Sequence, residues 1–353
     1  MTISTESTFM ESVQAKITEG SDLYKPLEVI EVDFKPDGPA DSPLDADLVL
    51  GWQDRVFRFV VEIKSRTAPS VVQDGIQHLD LFPTMRDDCS PMLLVPYLSN
   101  RIIEMLERSG MSGIDPNGNY FIQVPDLLAI RLDRKNQYPE SSDIKKIYSR
   151  NSSIVGRFML RENRTYDQVN DIYDGIKKLG GGISLSTVSK VLQGMKDDLV
   201  IEKGREGIRV LQPEKLLEEL SKQYRPPIVS RTLKLKLPDR REEMEDLLSE
   251  ALGKDAWMWT GESSAEAYTM TTPARMYSTY TRADSRALDR LAPWVSQRFY
   301  NCELKRTKQA FVYFDCNEHW SSPLECYLAL SQLDKREREI ALDIKEEILD
   351  RFS

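Results

Sequence analysis

Histidine is nearly absent: His78 and His319 are the only two in 353 residues. That scarcity excludes His-rich metal sites and most His-based catalytic triads. Cysteine is also sparse, and Cys89, Cys302, Cys316 and Cys326 form no Cys-x-x-Cys pair. Scattered single cysteines read as buried, reduced thiols rather than a disulfide framework or a zinc site. No uninterrupted apolar run is long enough to span a bilayer. The opening Met1-Thr2-Ile3-Ser4-Thr5-Glu6 has no basic segment followed by an apolar one, so no secretion signal is expected. These absences together predict a cytoplasmic protein without a membrane partner.

Basic charge is also in deficit. The chain carries 48 Lys and Arg against 57 Asp and Glu, a net charge of −9. A surface coated with cations for nucleic acid is therefore excluded, but the charge is uneven. Residues 1–140 sum to −10, residues 141–230 to +4, and residues 231–353 to −3. Only the middle segment has the sign that attracts a polyphosphate.

What is present is enough for several cores: 40% hydrophobic and 30% charged residues describe globular protein. Two stretches read as linkers. Residues 133–143 are polar and contain Pro139, and residues 224–231 contain Pro226-Pro227, which resists helix and sheet alike. Three domains are expected, over 1–135, 144–223 and 232–353, of mixed α/β class.

In the first domain a helix is expected over 5–18, with strands near 27–34, 45–50 and 56–64. Ser70 opens a helix with Val72, Ile76 and Leu79 at helical spacing. Residues 91–96 read as a buried strand, Arg101–Ser109 as a helix, and 119–124 and 127–132 as strands. A strand, helix, strand order at this spacing implies a parallel crossover.

Within that order, Asp47 and the run Glu62-Ile63-Lys64 lie on the two arms of a hairpin turning near Gly51 to Asp54. The hairpin brings Asp47 near Glu62 to within about two residues of register. Glu62 and Lys64, two apart, share one strand face. Two carboxylates beside an amine suit a hard divalent cation: Asp47, Glu62 and the Ile63 carbonyl offer oxygen ligands to Mg²⁺ or Mn²⁺. Lys64 can orient the attacking water or contact a phosphate, and Gln73 or Gln77 on the next helix can reach the site. Asp45 competes with Asp47 for its role. The same residues also fit a solvated salt-bridging pair on a half-exposed strand.

Asp47, Glu62-Ile63-Lys64, a following helix bearing Gln77, and the helix–three strands–helix–strand order resemble the PD-(D/E)xK nuclease superfamily over roughly residues 25–100. The resemblance implies a restriction-endonuclease-like mixed sheet with flanking helices, with Asp47 and Glu62 holding magnesium and Lys64 assisting water. Relatives with this fold can also be inert scaffolds that only bind DNA.

In the middle segment, Val169, Ile172, Tyr173 and Ile176 have helical spacing, Gly180-Gly181-Gly182 breaks the helix, and Ser184–Met195 restarts one. Leu185, Val188, Val191, Leu192 and Met195 can pack inward, leaving Ser186, Thr187, Ser189, Lys190 and Gln193 outward. This is a helix-turn-helix whose outer set is small, hydrogen-bonding and cationic, as a major-groove helix needs. Residues 199–211 then form a hairpin wing, with Lys203, Arg205 and Arg209 placed for phosphates or the minor groove. The segment is similar to bacterial winged-helix regulators; such modules also dock proteins.

In the last third, Arg241–Leu252 reads as a charged helix, Phe311-Val312-Tyr313-Phe314 as a strand, and Ser322-Pro323 as a helix start. Ile340, Ile344 and Ile348 mark a final amphipathic helix, either a dimer contact or core. The winged helix followed by Thr260-Gly261-x-x-x-Ala265 and Ser322-Pro323-Leu324-Glu325-Cys326-Tyr327-Leu328 resembles AbiEi-type antitoxins of type IV toxin–antitoxin systems, over roughly 150–353. That resemblance implies a C-terminal α/β domain, repression of an operon, and a nucleotidyltransferase toxin as partner. Thr260-Gly261-Glu262-Ser263-Ser264 also resembles the Gly-Ser loop of a nucleotidyltransferase, although no Asp-x-Asp follows. The 140 residues ahead of the winged helix suggest a second task. The expected function is DNA binding joined to a magnesium-dependent endonuclease-like domain, in prokaryotic antiviral defence or a toxin–antitoxin-type system. The competing expectation is an antitoxin and transcriptional regulator whose nuclease-like domain is inert. Expected partners are double-stranded DNA and either a second copy of the chain or a toxin or defence protein.

Overall fold

A computed structural model describes residues 5–19, 22–35, 44–81, 88–138, 146–270 and 274–352. The chain divides into two compact units, Met1–Ile144 and Lys145–Ser353. Both are mixed α/β.

In the first unit, helix α1 (Thr5–Glu19) precedes strands β1 (Glu28–Phe34), β2 (Ala46–Trp52) and β3 (Arg55–Ile63). Helix α2 (Pro69–Asp80), strand β4 (Cys89–Leu94), helix α3 (Asn100–Arg108) and strands β5 (Ser112–Ile114), β6 (Tyr120–Val124) and β7 (Leu127–Arg131) follow. The strands make one seven-stranded sheet in chain order. The β3–β4 and β4–β5 pairs are parallel and the others antiparallel. The alternation of β3 explains its two faces. Phe59, Val61 and Ile63 join Phe9, Val13 and Ile17 of α1 in one core. Leu93, Val95 and Phe121 pack on the other face against Val72, Ile76 and Leu79 of α2 and Ile102 and Leu106 of α3. Each large apolar side chain buried this way contributes about 1.5–3 kcal/mol. Leu93 pairs with Glu62 in the ladder, so Glu62 faces the α2 side. Strand β5 went unforeseen, because Ser112-Gly113-Ile114 offers neither length nor an apolar run.

In the second unit, α4 (Ser153–Met159), α5 (Val169–Lys178) and α6 (Leu185–Asp197) lead to the hairpin β8 (Ile201–Gly204) and β9 (Gly207–Val210), then α7 (Pro213–Lys222). Ser184 caps α6 by accepting the Thr187 N–H at 3.2 Å. Beyond α7 come β10 (Arg231–Leu235), α8 (Arg241–Leu252), β11 (Trp257–Trp259), α9 (Glu262–Ala265) and β12 (Tyr277–Thr281). Helix α10 (Ser285–Asp289), β13 (Cys302–Arg306), α11 (Pro323–Leu330) and α12 (Lys335–Asp350) complete it. The four long-separated strands form a sheet in the order β10-β13-β12-β11.

Two expectations are corrected here. The Pro226-Pro227 stretch does not separate compact units, because α4, α5, α6 and α7 share one hydrophobic core with α11 and α12. Ile340, Ile344 and Ile348 of α12 are buried in that core. The other expected linker, 133–143, falls at the division, with its residues 139–143 outside those described. Phe311–Phe314 is not a strand: Ala310–Tyr313 is a 3-10 turn. Phe311, Val312 and Phe314 are all buried, so the apolar run reflects burial on several sides rather than sheet pairing. Cys302 and Cys326 are buried thiols as expected, whereas Cys316 is exposed, and none of the four is in a disulfide. Among the described residues no helix is long and apolar enough to cross a membrane.

Gly207 carries the hairpin against the chain before α5. It has φ +114°, and a β-carbon there would stand 2.8 Å from the Tyr166 carbonyl oxygen. That carbonyl accepts the Ile208 N–H at 2.8 Å, so the backbone cannot retreat without losing a bond. Gly207→Ala should lower the stability of this unit by about 1–3 kcal/mol. Urea unfolding checks it, and an unmoved midpoint refutes the steric argument.

Candidate functional site

The hairpin register decides which carboxylates meet. Asp47 pairs with Val60, so it lies two residues from Glu62 along the strand. Its Oδ2 accepts from Lys35 Nζ at 2.5 Å, across strand β1's end. Asp45, just before β2, comes closer to the Glu62 end. Its backbone N–H donates to the Val61 carbonyl at 3.1 Å, and its Oδ2 accepts the Ile63 N–H at 2.7 Å. Burial pushes the Asp45 carboxyl above the usual carboxylate range; the Ile63 N–H opposes that, and the charge of Glu62 adds to it.

Glu62 is the centre of the cluster and only 4% exposed. Its Oε1 lies 2.6 Å from Lys64 Nζ, and its Oε2 lies 2.9 Å from His78 Nδ1. Both oxygens thus face a cationic or donor group, which offsets the cost of burying the carboxylate. Gly75 lets α2 approach: a β-carbon there would stand 3.1 Å from Lys64 Cε and 2.7 Å from Leu93 Cδ1. Ile63 ends β3 with its side chain in the α1-side core, and its carbonyl lies at the strand's end.

The structure therefore brings Glu62, Lys64 and Asp45 together and leaves Asp47 alongside with Lys35. Gln77 is exposed, while His78, one residue on, reaches Glu62. His78 was missed because the apolar stripe Val72, Ile76, Leu79 fixes the buried face of α2 but not which flank borders β3. The short distance between Gly75 and Lys64 is the signal that the Gly75–His78 flank is the inner one. Among the described residues, no group of three or more His, Cys, Asp or Glu side chains is assembled to hold a metal ion. The set that remains is two carboxylates, Asp45 and Glu62, in reach of one amine. These are hard oxygen donors of the kind magnesium takes, and in this form they are engaged by Lys64, His78 and a backbone N–H.

In the second unit, Val188, Val191, Leu192 and Met195 of α6 are buried, whereas Leu185 is 41% exposed in its first turn. Ser186, Lys190 and Gln193 are exposed; Thr187 and Ser189 are half-buried. Several of these groups bond within the helix: Ser186 and Thr187 hydroxyls lie 3.0 and 2.8 Å from Ser184 Oγ, and Gln193 Nε2 donates to Asp197 at 2.9 Å. On the hairpin, Arg205 occupies the exposed tip and Lys203 is half-buried. Arg209 is exposed but pairs across the strands with Glu202 at 2.7 Å. The outer face of α6 and the hairpin tip thus present Lys190 and Arg205, and Lys196 is also exposed in the last turn of α6.

No family model, no curated protein and no solved structure matches this chain.

Proposed function

We propose that the protein binds duplex DNA through a winged helix-turn-helix in its second unit, and that its first unit is a magnesium-dependent nuclease centre. One observation carries the DNA reading. Helix α6 buries Val188, Val191, Leu192 and Met195 on one side and offers Ser186, Lys190 and Gln193 on the other, and the β8–β9 hairpin follows directly with Arg205 at its tip. A helix of this kind fits the major groove, and the hairpin fits the adjoining backbone. Lys190→Ala with Arg205→Ala should weaken binding across sequences and lower the slope of log affinity against log salt by about two. Fluorescence anisotropy with labelled duplexes measures both; an unchanged affinity and slope refutes contact by this module.

The nuclease reading rests on the α1-β1-β2-β3-α2-β4 order, similar to the PD-(D/E)xK core, and on Asp45, Glu62 and Lys64 at the end of its hairpin. Glu62 with Asp45 or Asp47 would hold the cation, and Lys64 would sit beside the reacting phosphate. Bound magnesium would supply a water of lowered pKa and neutralise charge building on the phosphate. Lys64 is held ready by Glu62 and would be released toward the phosphate when a cation takes the carboxylate.

A second reading is favoured by one feature. Both Glu62 oxygens are satisfied by Lys64 and His78, an arrangement that suits a structural pair as well as a metal ligand. In that case the first unit is an inert scaffold, and the protein is an AbiEi-like antitoxin and repressor. The two readings share DNA binding and separate on cleavage.

A further inference from the structure

The second unit has an open cleft of about 550 Å³ lined by Ser149, Arg150, Asn151, Ser152, Lys308, Gln309, Ala310 and Phe311. Its lining contains two cations and no carboxylate. Arg150 and Lys308 are both exposed, and among the described residues neither has an ion-pair partner. Some exposed cations elsewhere on this unit are matched, as Arg209 is by Glu202 and Arg240 by Glu243. A protein with net charge −9 that leaves two cations unmatched over one cleft has a local positive field there. Of the remaining lining residues, Ser149, Asn151, Ser152 and Gln309 carry donors, while Ala310 and Phe311 are apolar. Gln309 Oε1 accepts the Ile228 N–H at 2.9 Å, which leaves its amide NH₂ as the outward end. Ser152 and Asn151 add a hydroxyl and an amide. Cations with hydroxyl and amide donors make the chemistry of a phosphate site.

The position of the cleft matters as much as its charge. The turn that carries Arg150 packs against α6. On the other wall, a β-carbon on Gly182, two residues before the Ser184 cap, would stand 3.9 Å from that of Ala310. The cleft therefore adjoins the beginning of α6. Its second wall comes from the segment after β13, far along the chain.

We propose that this cleft grips a phosphodiester of the duplex beside the α6 contact, through Arg150 and Lys308. The inference rests on the DNA-binding reading above and extends it to residues outside the helix-turn-helix. It also gives the C-terminal segment a direct part in holding DNA. Phosphate contacts of this kind fix register and do not read sequence.

The test uses the full chain and a set of unrelated duplexes. Arg150 has φ +49°, so the variant is Arg150→Asn, which tolerates that backbone, combined with Lys308→Ala. Both positions are exposed, and an unchanged thermal midpoint shows that the fold is intact. The expected result is weaker binding to every duplex by a similar factor, with the salt slope lowered by about two. If the wild-type chain binds DNA and Lys190→Ala/Arg205→Ala weakens it, but this variant keeps the wild-type affinity and slope, the cleft proposal falls and the DNA reading stands. If the wild-type chain binds no duplex, both fall. Calorimetry with inorganic pyrophosphate distinguishes a free phosphate ligand. Micromolar pyrophosphate binding lost in the variant, with the duplex slope unmoved, overturns the assignment to the DNA backbone.

Discussion

Plasmid DNA incubated with the protein and Mn²⁺ or Mg²⁺ should be nicked, and Glu62→Ala should reduce that rate by at least about a hundredfold. Glu62 is the only carboxylate of the cluster that is both buried and bonded to Lys64, so its loss removes a ligand and frees the amine together. Lys64→Ala should cost a similar factor, within the roughly 10²–10⁴-fold range of a positioned proton-transfer group. His78→Ala should leave cleavage within about threefold, because His78 competes for Glu62 Oε2 and is not needed by the phosphate. The pH profile has a definite sign. Burial raises the Asp45 pKa, so Asp45 stays protonated to a higher pH than an ordinary aspartate. A cation needs the anion, and the rate should climb with pH as that proton leaves. Chelation with EDTA should abolish nicking without changing duplex affinity. Intact plasmid after long incubation with Mn²⁺ at stoichiometric protein would leave the inert-scaffold reading in place. So would a Glu62→Ala chain that nicks at the wild-type rate.

How far the sequence alone reached follows from which forces are local. The alternation in Phe57–Ile63 and the spacing of Val72, Ile76 and Leu79 depend only on which side is buried, and β3 and α2 appear where the pattern places them. Glu62 and Lys64 sit two apart on one strand, so their pairing was also legible. The partner across the hairpin was not, because Asp45 and Asp47 share a face and only the register separates them. The α6 inner face was legible except at Leu185, where the first turn extends past the core. Least legible was the join between the helix-turn-helix and the C-terminal segment. Pro226-Pro227 stops regular structure locally but says nothing about whether Phe158 and Leu324 enter one core. Sequence separation of this size hides contacts that only the folded chain makes.

The residues that fasten that join should produce the largest loss of stability in the protein. Arg157 of α4 and Glu325 of α11 are 1% and 0% exposed and lie 2.6 Å apart. Glu325 also accepts the Tyr224 hydroxyl at 2.8 Å, and Arg157 donates to the Phe311 carbonyl at 3.2 Å. Burial pushes the Glu325 carboxyl up, while Arg157 and Tyr224 pull it down. Glu325→Leu should cost about 3–5 kcal/mol, since it strands a guanidinium that cannot shed its proton. Arg157→Met should cost less, because a buried carboxyl can take up a proton and keep the Tyr224 contact. The pair Arg157→Met/Glu325→Leu should recover most of the Glu325→Leu loss, as apolar groups of similar size often replace a buried ion pair at little cost. Urea unfolding of the four proteins gives the coupling directly. Because α4 supports α6, duplex affinity should follow the same order, worst in Glu325→Leu and regained in the double variant. A Glu325→Leu protein with the wild-type midpoint would contradict this account. A double variant no better than that single change would show that the pair contributes shape rather than charge balance.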